Sequence, residues 1–235
     1  MSRRVLLISS SRLHGQTYMH YCQQDLYDYW GDVRELLFVP YALQNHDLYA
    51  ERVRAGLEPM GFQIQAIHET PDPIKAVQNA KGIFIGGGNT FLLTRTLYET
   101  GIMPLIRERV MAGELPYMGS SAGSNVACPT MKTTNDMPIV YPPSFDTLNL
   151  VPFQINAHYF DPDPDSTHMG ETRADRLREF HEWNTTPVVG LREGGLIEVL
   201  GNQATLKGVC GAKLFQAGLA PQEFEPVCDM SFLLT

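Results

Sequence analysis

The chain has 235 residues, 43% of them hydrophobic, and a formal net charge of −8. That length suffices for one sizeable core, read here as a single domain over residues 1–235. An acidic surface offers no electrostatic grip on nucleic acid or on an anionic membrane, which argues against both as partners.

The N-terminus, "MSRRVLLISSSRLHG", has only the apolar run Val5 to Ile8 before serines interrupt it. A signal peptide needs a longer apolar region, and nothing in the chain approaches the ~20 apolar residues of a membrane span, so a cytoplasmic location is expected. Cys22, Cys128, Cys210 and Cys228 are widely spaced and read as reduced thiols.

Short apolar runs then alternate with longer amphipathic segments: "VLLIS" (5–9), "LLFVP" (36–40), "FQIQAIH" (62–68), "GIFIG" (82–86) and "LPYMG" (115–119). Between them, Leu48, Val53, Leu57 and Met60 form one helical stripe, and Phe91, Leu92, Leu97 and Tyr98 another. This order predicts an α/β fold with a mostly parallel sheet and helices on both faces. Past residue 130, Pro129, Pro138, Pro142 and Pro143 break the pattern into a long irregular stretch. Order returns with "VPFQINAHYF" (151–160), a helix over about 171–182, the strand "PVVGL" (187–191), and a hairpin turning at Gly201 and Asn202.

Gly119, Ser121 and Gly123 give the pattern G-x-S-x-G between a predicted strand and a segment able to start a helix. In that context the serine sits on a sharp strand-to-helix turn, a nucleophile elbow, and the spacing selects Ser121 over Ser120. The Ala122 amide, at the helix N-terminus, can then face a developing oxyanion. A second glycine run, Gly86 to Gly88, followed by Asn89, ends another predicted strand. It lacks the third glycine of a dinucleotide fingerprint and the lysine of a P-loop, so its amides suit an oxyanion better than a nucleotide phosphate.

A serine nucleophile needs a base, and His14, His20, His46, His68, His158, His168 and His181 compete. His158 follows a predicted strand, at the edge where such sites are built, while His68 ends a strand beside an ordinary loop. For the carboxylate that orients the base, Glu193 precedes two glycines and Asp136 lies on a proline-bounded loop; spacing alone leaves both open.

Together these blocks resemble peptidase E, the α-aspartyl dipeptidases: "GGGNTF", "GSSAGSNVACPT", "TTNDMPIV", "QINAHYF", "GETRADR" and "GLREG" occur in that order. The resemblance implies a serine dipeptidase, free of metal and organic cofactor, on a fold similar to the class I glutamine amidotransferases with the elbow after a central strand. It implies Ser121 as nucleophile, His158 as base and Glu193 as its orienter, with Asp136 the alternative acid. It favours Gly88 and Ala122 as oxyanion amides, and Arg173 with Asn89 as substrate-binding residues. Ser120 departs from the commonest form, in which a bulky aromatic precedes the nucleophile, and this alters the adjoining pocket.

The substrate so implied is a small peptide with an N-terminal aspartate, whose carboxylate suits an arginine fork. Arg173 is the candidate; Arg192, beside Glu193, is expected only to balance that charge. Asp161, Asp163 and Asp165 mimic the opening of a calcium loop, but Ser166 stands where glycine is expected, Thr172 where an acid is expected, and prolines stiffen the run, so no metal is assigned. This loop is instead expected to cover the site and to supply a carboxylate for the substrate's α-ammonium. Rival readings are a cyanophycinase-like hydrolase of β-Asp-Arg units and a non-catalytic binding module. An amidotransferase would need cysteine where Ser121 stands. A monomer and a homodimer are equally compatible with the sequence.

Overall fold

The computed structural model describes residues 2–235 apart from Pro164, Ser166 and His168. Ser166 of the calcium-like spacing and His168 among the histidines therefore lie outside the described residues. The first half of the chain alternates strands with helices: β1 (Arg4–Ile8), α1 (Gln23–Trp30), β2 (Glu35–Val39), α2 (His46–Leu57), β3 (Gln63–Ala66), α3 (Pro73–Asn79), β4 (Ile83–Ile85), α4 (Thr90–Glu99), α5 (Ile102–Met111), β5 (Tyr117–Ser120) and α6 (Ala122–Val126). The second half is richer in strands: β6 (Gln154–Tyr159), α7 (Arg173–Trp183), β7 (Val188–Arg192), β8 (Gly195–Leu200), β9 (Gln203–Gly208), β10 (Ala212–Phe215), β11 (Gln222–Phe224) and β12 (Cys228–Asp229).

The large sheet has the order β12-β9-β8-β1-β5-β4-β2-β3. Its five strands from β1 to β3 are parallel, and β8, β9 and β12 extend it antiparallel from β1. The parallel strands are short and apolar because both faces are covered. Leu6, Ile8, Phe38 and Phe84 pack against Leu26, Trp30, Val53 and Leu57 of α1 and α2. Val5, Leu7, Ile83 and Ile85 pack on the opposite face against Val77, Leu93, Ile106 and Val126 of α3 to α6.

Helix starts are set by side chains that accept otherwise unpaired amides: Asn45 takes Leu48 N–H, Asp72 takes Lys75 N–H and Asn89 takes Leu92 N–H. Helix α7 begins at Arg173, two residues later than the start expected near residue 171, because Thr172 and Asp175 form a reciprocal capping box.

The mostly parallel sheet expected from the sequence is present, and a second sheet, not foreseen, accompanies it. β6 and β7 pair in parallel and form a separate four-stranded sheet, β11-β10-β7-β6. Ile155, Ala157, Val189 and Leu191 from this sheet join the core on the α3 to α6 side, so both sheets share one apolar interior. Strand patterning marks these segments as buried without saying which neighbour they pair with.

β1 and β5 are adjacent, yet the chain leaves β1 toward α1 on one face and β5 toward α6 on the other. Such a reversal opens a crevice at the carboxyl ends of the strands. Ser121, Gly86 to Gly88 and Ser9 all lie at that edge. Among the described residues, no helix is long and apolar enough to cross a membrane.

Candidate active site

Ser121 follows β5 directly, with φ 53° and ψ −111°. A non-glycine residue in this region carries strain of about 1–3 kcal/mol, which surrounding contacts must over-determine. They do: Ser121 N–H donates to Ile8 O at 2.9 Å, and the Ser124 and Asn125 amides close the first turn of α6 onto Ser121 O at 2.9 and 3.0 Å. Ser124 Oγ accepts from Ile8 N at 2.9 Å and faces Ile8 O and Gly119 O at 2.8 and 2.9 Å, tying the elbow to β1. The flanking glycines are required by close approach: a Cβ on Gly119 would collide with Gly123 O, and one on Gly123 with Ile85 O. Ser120 is buried, and its Oγ has no hydrogen-bond partner among the described residues.

His158 belongs to β6 but falls out of its ladder. The pairing runs Ala157↔Leu191 and then Tyr159↔Arg192, so His158 is an extra residue, with φ 54°. A bulge of this kind re-aims a side chain. His158 Nε2 comes to 2.9 Å from Ser121 Oγ, and Nδ1 to 2.7 Å from Glu193 Oε1. Its backbone amide, lost to the sheet, donates to Ser9 Oγ at 2.9 Å, and the Ser9 hydroxyl donates to Leu191 O at 2.7 Å. Sequence reasoning overlooked Ser9, whose only signal was its place at the end of a central strand.

Glu193 sits in the tight link from β7 to β8, where Gly194 takes φ 87°. Its neighbour Arg192 turns the other way, donating to Asp161 Oδ2 at 2.6 Å and to Glu223 at 3.0 Å. The expectation that Arg192 balances Glu193 is therefore corrected. Asp136, the rival acid, is not bonded to His158. Its Oδ2 accepts from Thr90 N–H at 2.7 Å, Thr90 Oγ1 at 2.6 Å and Thr134 Oγ1 at 3.0 Å, at the start of α4.

Of the glycine run, Gly87 packs against Ser121: a Cβ added there would lie 2.9 Å from Ser121 Cβ. Gly88 has φ 138°, and a side chain there would strike Ala42 O. Neither the Gly88 nor the Ala122 amide finds an acceptor among the described residues. Tyr49 fills the space under Gly86, and burial pushes its phenol up to about 12. Asn89 is committed locally, its amide group donating to Met137 O at 2.8 Å while its oxygen caps α4.

Arg173, the first residue of α7, lies over the Phe160 ring with 5.3 Å between guanidinium carbon and ring centroid. Burial, then the charge of Arg176, pull its pKa down, and Asp136 acts the other way. Its Nε is buried without a partner among the described residues. The carboxylates near the helix start are taken: Asp175 by Thr172 and Arg178, and Glu171 by Arg176 at 3.7 Å. Asp161 is likewise held by Arg192 and by Lys213 at 2.5 Å. Phe160, Thr172, Arg173 and Arg176 line a cleft of about 560 Å³. Another cavity, about 670 Å³, lies between Leu36, Phe62 and Lys81 and contains none of these groups.

A nucleophile-elbow serine hydrogen-bonded to an imidazole, with two unengaged amides beside it, is the equipment of acyl transfer. Comparison with known proteins agrees. The profile of peptidase family S51 matches residues 5–207. The chain belongs to peptidase family S51. As an S51 member it is a serine peptidase. It is 50% identical over 235 residues, 99% of this chain and 98% of the other, to a Drosophila melanogaster protein named "Probable alpha-aspartyl dipeptidase". Peptidase E of Streptomyces coelicolor is also 50% identical, covering 98% of this chain and 94% of that one. Among solved structures, a peptidase from an acI-B1 Actinobacterium superposes with a TM-score of 0.72 over 99% of this chain and 98% of its own, at 16% identity, a likeness of fold. The S51 match takes in Ser121, His158, Arg173 and Glu193 and stops short of β10 to β12. Among the described residues, no group of three or more metal-ligating side chains could hold an ion.

Proposed function

We propose that this S51 peptidase removes an N-terminal aspartate from dipeptides and small aspartyl amides, through an aspartyl-enzyme formed on Ser121. The observation that carries this reading is the continuous hydrogen-bonded line from Glu193 through His158 to Ser121, at 2.7 and 2.9 Å, ending beside two unengaged amides. The names of the relatives in Drosophila and Streptomyces supply the substrate class.

The chemistry follows from the atoms. With Nδ1–H donating to Glu193, the imidazole presents Nε2 as acceptor to the Ser121 hydroxyl. Ser121 Oγ attacks the aspartyl carbonyl carbon as its proton passes to Nε2, and the carbonyl electrons move onto oxygen. The Gly88 and Ala122 amides receive that oxyanion; one such donor contributes about 10²- to 10³-fold in rate. Collapse expels the amine of the second residue, which takes the proton from Nε2. Water then repeats the cycle on the ester and releases aspartate. Arg173, partly desolvated and without a carboxylate partner among the described residues, is suited to the substrate's side-chain carboxylate.

The test is hydrolysis of α-Asp-Leu beside Leu-Leu, Glu-Leu and β-Asp-Arg by the wild type, Ser121→Ala and Ser120→Ala. Selective cleavage of α-Asp-Leu, lost only in Ser121→Ala, is expected. Preferential cleavage of β-Asp-Arg, or activity retained in Ser121→Ala, overturns the proposal.

A further inference from the structure

An N-terminal aspartyl residue carries two opposite charges close together, an α-ammonium and a side-chain carboxylate. Arg173 offers a cation for the second. The acidic loop was the expected source of an anion for the first, but Asp161, the loop carboxylate nearest His158 in sequence, is paired with Arg192 and Lys213, and Asp163 Oδ1 accepts the Asp165 amide at 3.0 Å. Glu171 and Asp175 are also paired.

Asp136 is placed differently. All the hydrogen bonds it accepts enter through Oδ2, which seals the N-terminus of α4, while Oδ1 has no partner among the described residues. Thr90, which donates both of its groups to Asp136, lies two residues beyond Gly88, so the carboxylate is anchored to the loop that carries an oxyanion amide. Asp136, Asn156 and Met137 line a cleft of about 210 Å³ whose wall includes Arg176. Arg176 also lines the larger cleft of Arg173. The two clefts thus meet around one side chain, with an arginine in one and an aspartate in the other that form no ion pair with each other.

Tetrahedral carbon makes that separation useful. The substrate Cα bears the scissile carbonyl, the ammonium and the carboxymethyl group. With the carbonyl oxygen held by the Gly88 and Ala122 amides, the two charged arms diverge and require opposite charges on different walls. We infer that Asp136 Oδ1 holds the substrate's α-ammonium while Arg173 holds its side-chain carboxylate, so that the site reads the free amino terminus as well as the aspartyl side chain. The inference rests on the dipeptidase reading and gives Asp136 a specificity role in place of the triad role the sequence left open.

Succinyl-Leu differs from α-Asp-Leu only in having hydrogen where the ammonium stands. Wild-type kcat/KM is expected to be about 10- to 100-fold lower on succinyl-Leu, the range of a charge-assisted hydrogen bond. Asp136→Asn keeps acceptors for Thr90 and removes the charge. It is expected to lose activity on α-Asp-Leu, to leave succinyl-Leu turnover unchanged, and so to bring the ratio of the two toward unity. An equal loss on both substrates, which a purely structural role at α4 would produce, overturns the inference. So does a wild type that treats the two substrates alike, a result that needs no variant to fold. A wild type inert on α-Asp-Leu overturns the functional reading itself.

Discussion

Replacing Ser9 by alanine tests whether His158, the proposed base, is held in place by its own backbone. Ser9 is fully buried, and its hydroxyl joins the His158 amide to Leu191 O at 2.9 and 2.7 Å. The β7 carbonyl of Leu191 also faces the ladder with β10, whereas the His158 amide, bulged out of β6, has Ser9 as its partner. Leaving that amide unsatisfied is expected to cost about 1–3 kcal/mol of stability. The same bond holds His158 at φ 54°, and strain of order 1–3 kcal/mol then favours relaxation that swings the imidazole from Ser121. A loss of about 1.4 kcal/mol for the poised conformer is a tenfold fall in its population, so kcat on α-Asp-Leu is expected to drop about tenfold with KM little changed. Urea denaturation reads the first number and steady-state kinetics the second. Val77→Ala, a buried change in α3, serves as the control that loses stability but keeps kcat. A Ser9→Ala enzyme that is destabilised yet turns over like the wild type would refute the claim that the left-handed backbone of His158 is a catalytic device.

Glu193→Gln retains the shape of the carboxylate but favours the wrong imidazole tautomer; a fall in kcat of at least about 10²-fold, with KM nearly constant, is expected from steady-state kinetics. Retention of more than a tenth of the wild-type rate would remove Glu193 from the proposed triad. For acid stability, burial raises the Asp161 carboxyl, but the Lys213 and Arg192 bonds outweigh it and hold it below the ordinary aspartate range. A carboxyl depressed in the folded state stabilises fully above its unfolded pKa of about 3.9, and that contribution disappears as pH falls through the folded value. Asp161→Asn is therefore expected to be less stable than wild type at pH 7, with the two denaturation curves converging as the pH is lowered from 5. A gap that stays constant over that range would show that the ion cluster contributes nothing.

The parts of the site legible in the sequence are those whose chemistry is local. Gly119, Ser121 and Gly123 announce their turn because backbone approach demands glycine at fixed offsets: a Cβ on Gly119 would collide within the elbow itself, with Gly123 O, while Gly123 is pressed against Ile85 O of the neighbouring strand. The parallel strands were legible because they are apolar on both faces. The division into two sheets was not, since pairing of β6 with β7 depends on partners far along the chain. Nor could spacing choose between Glu193 and Asp136. Glu193 precedes two glycines and Asp136 lies on a proline-bounded loop, and only the folded chain directs one to His158 and the other to Thr90.

What spacing could least reveal is that the two strained residues hang from one strand. Ser121 and His158 both have positive φ, and the contacts that fix them converge on the end of β1. Ile8 O receives the Ser121 amide, Ile8 N–H donates to Ser124 Oγ in the elbow, and Ser9 Oγ receives the His158 amide. β1 is suited to this because it pairs with β5 on one side and β8 on the other, with Val5 to Ile8 buried on both faces. Its end therefore moves only if the center of the large sheet moves. Ser121 after a strand of one sheet and His158 in a strand of the other, the proposed nucleophile and base, are held one hydrogen bond apart by Ile8 and Ser9 at the end of β1. The "LLISSS" run, in which the serines looked like a mere interruption of a strand, is thus the fixed point from which the geometry of the site is set.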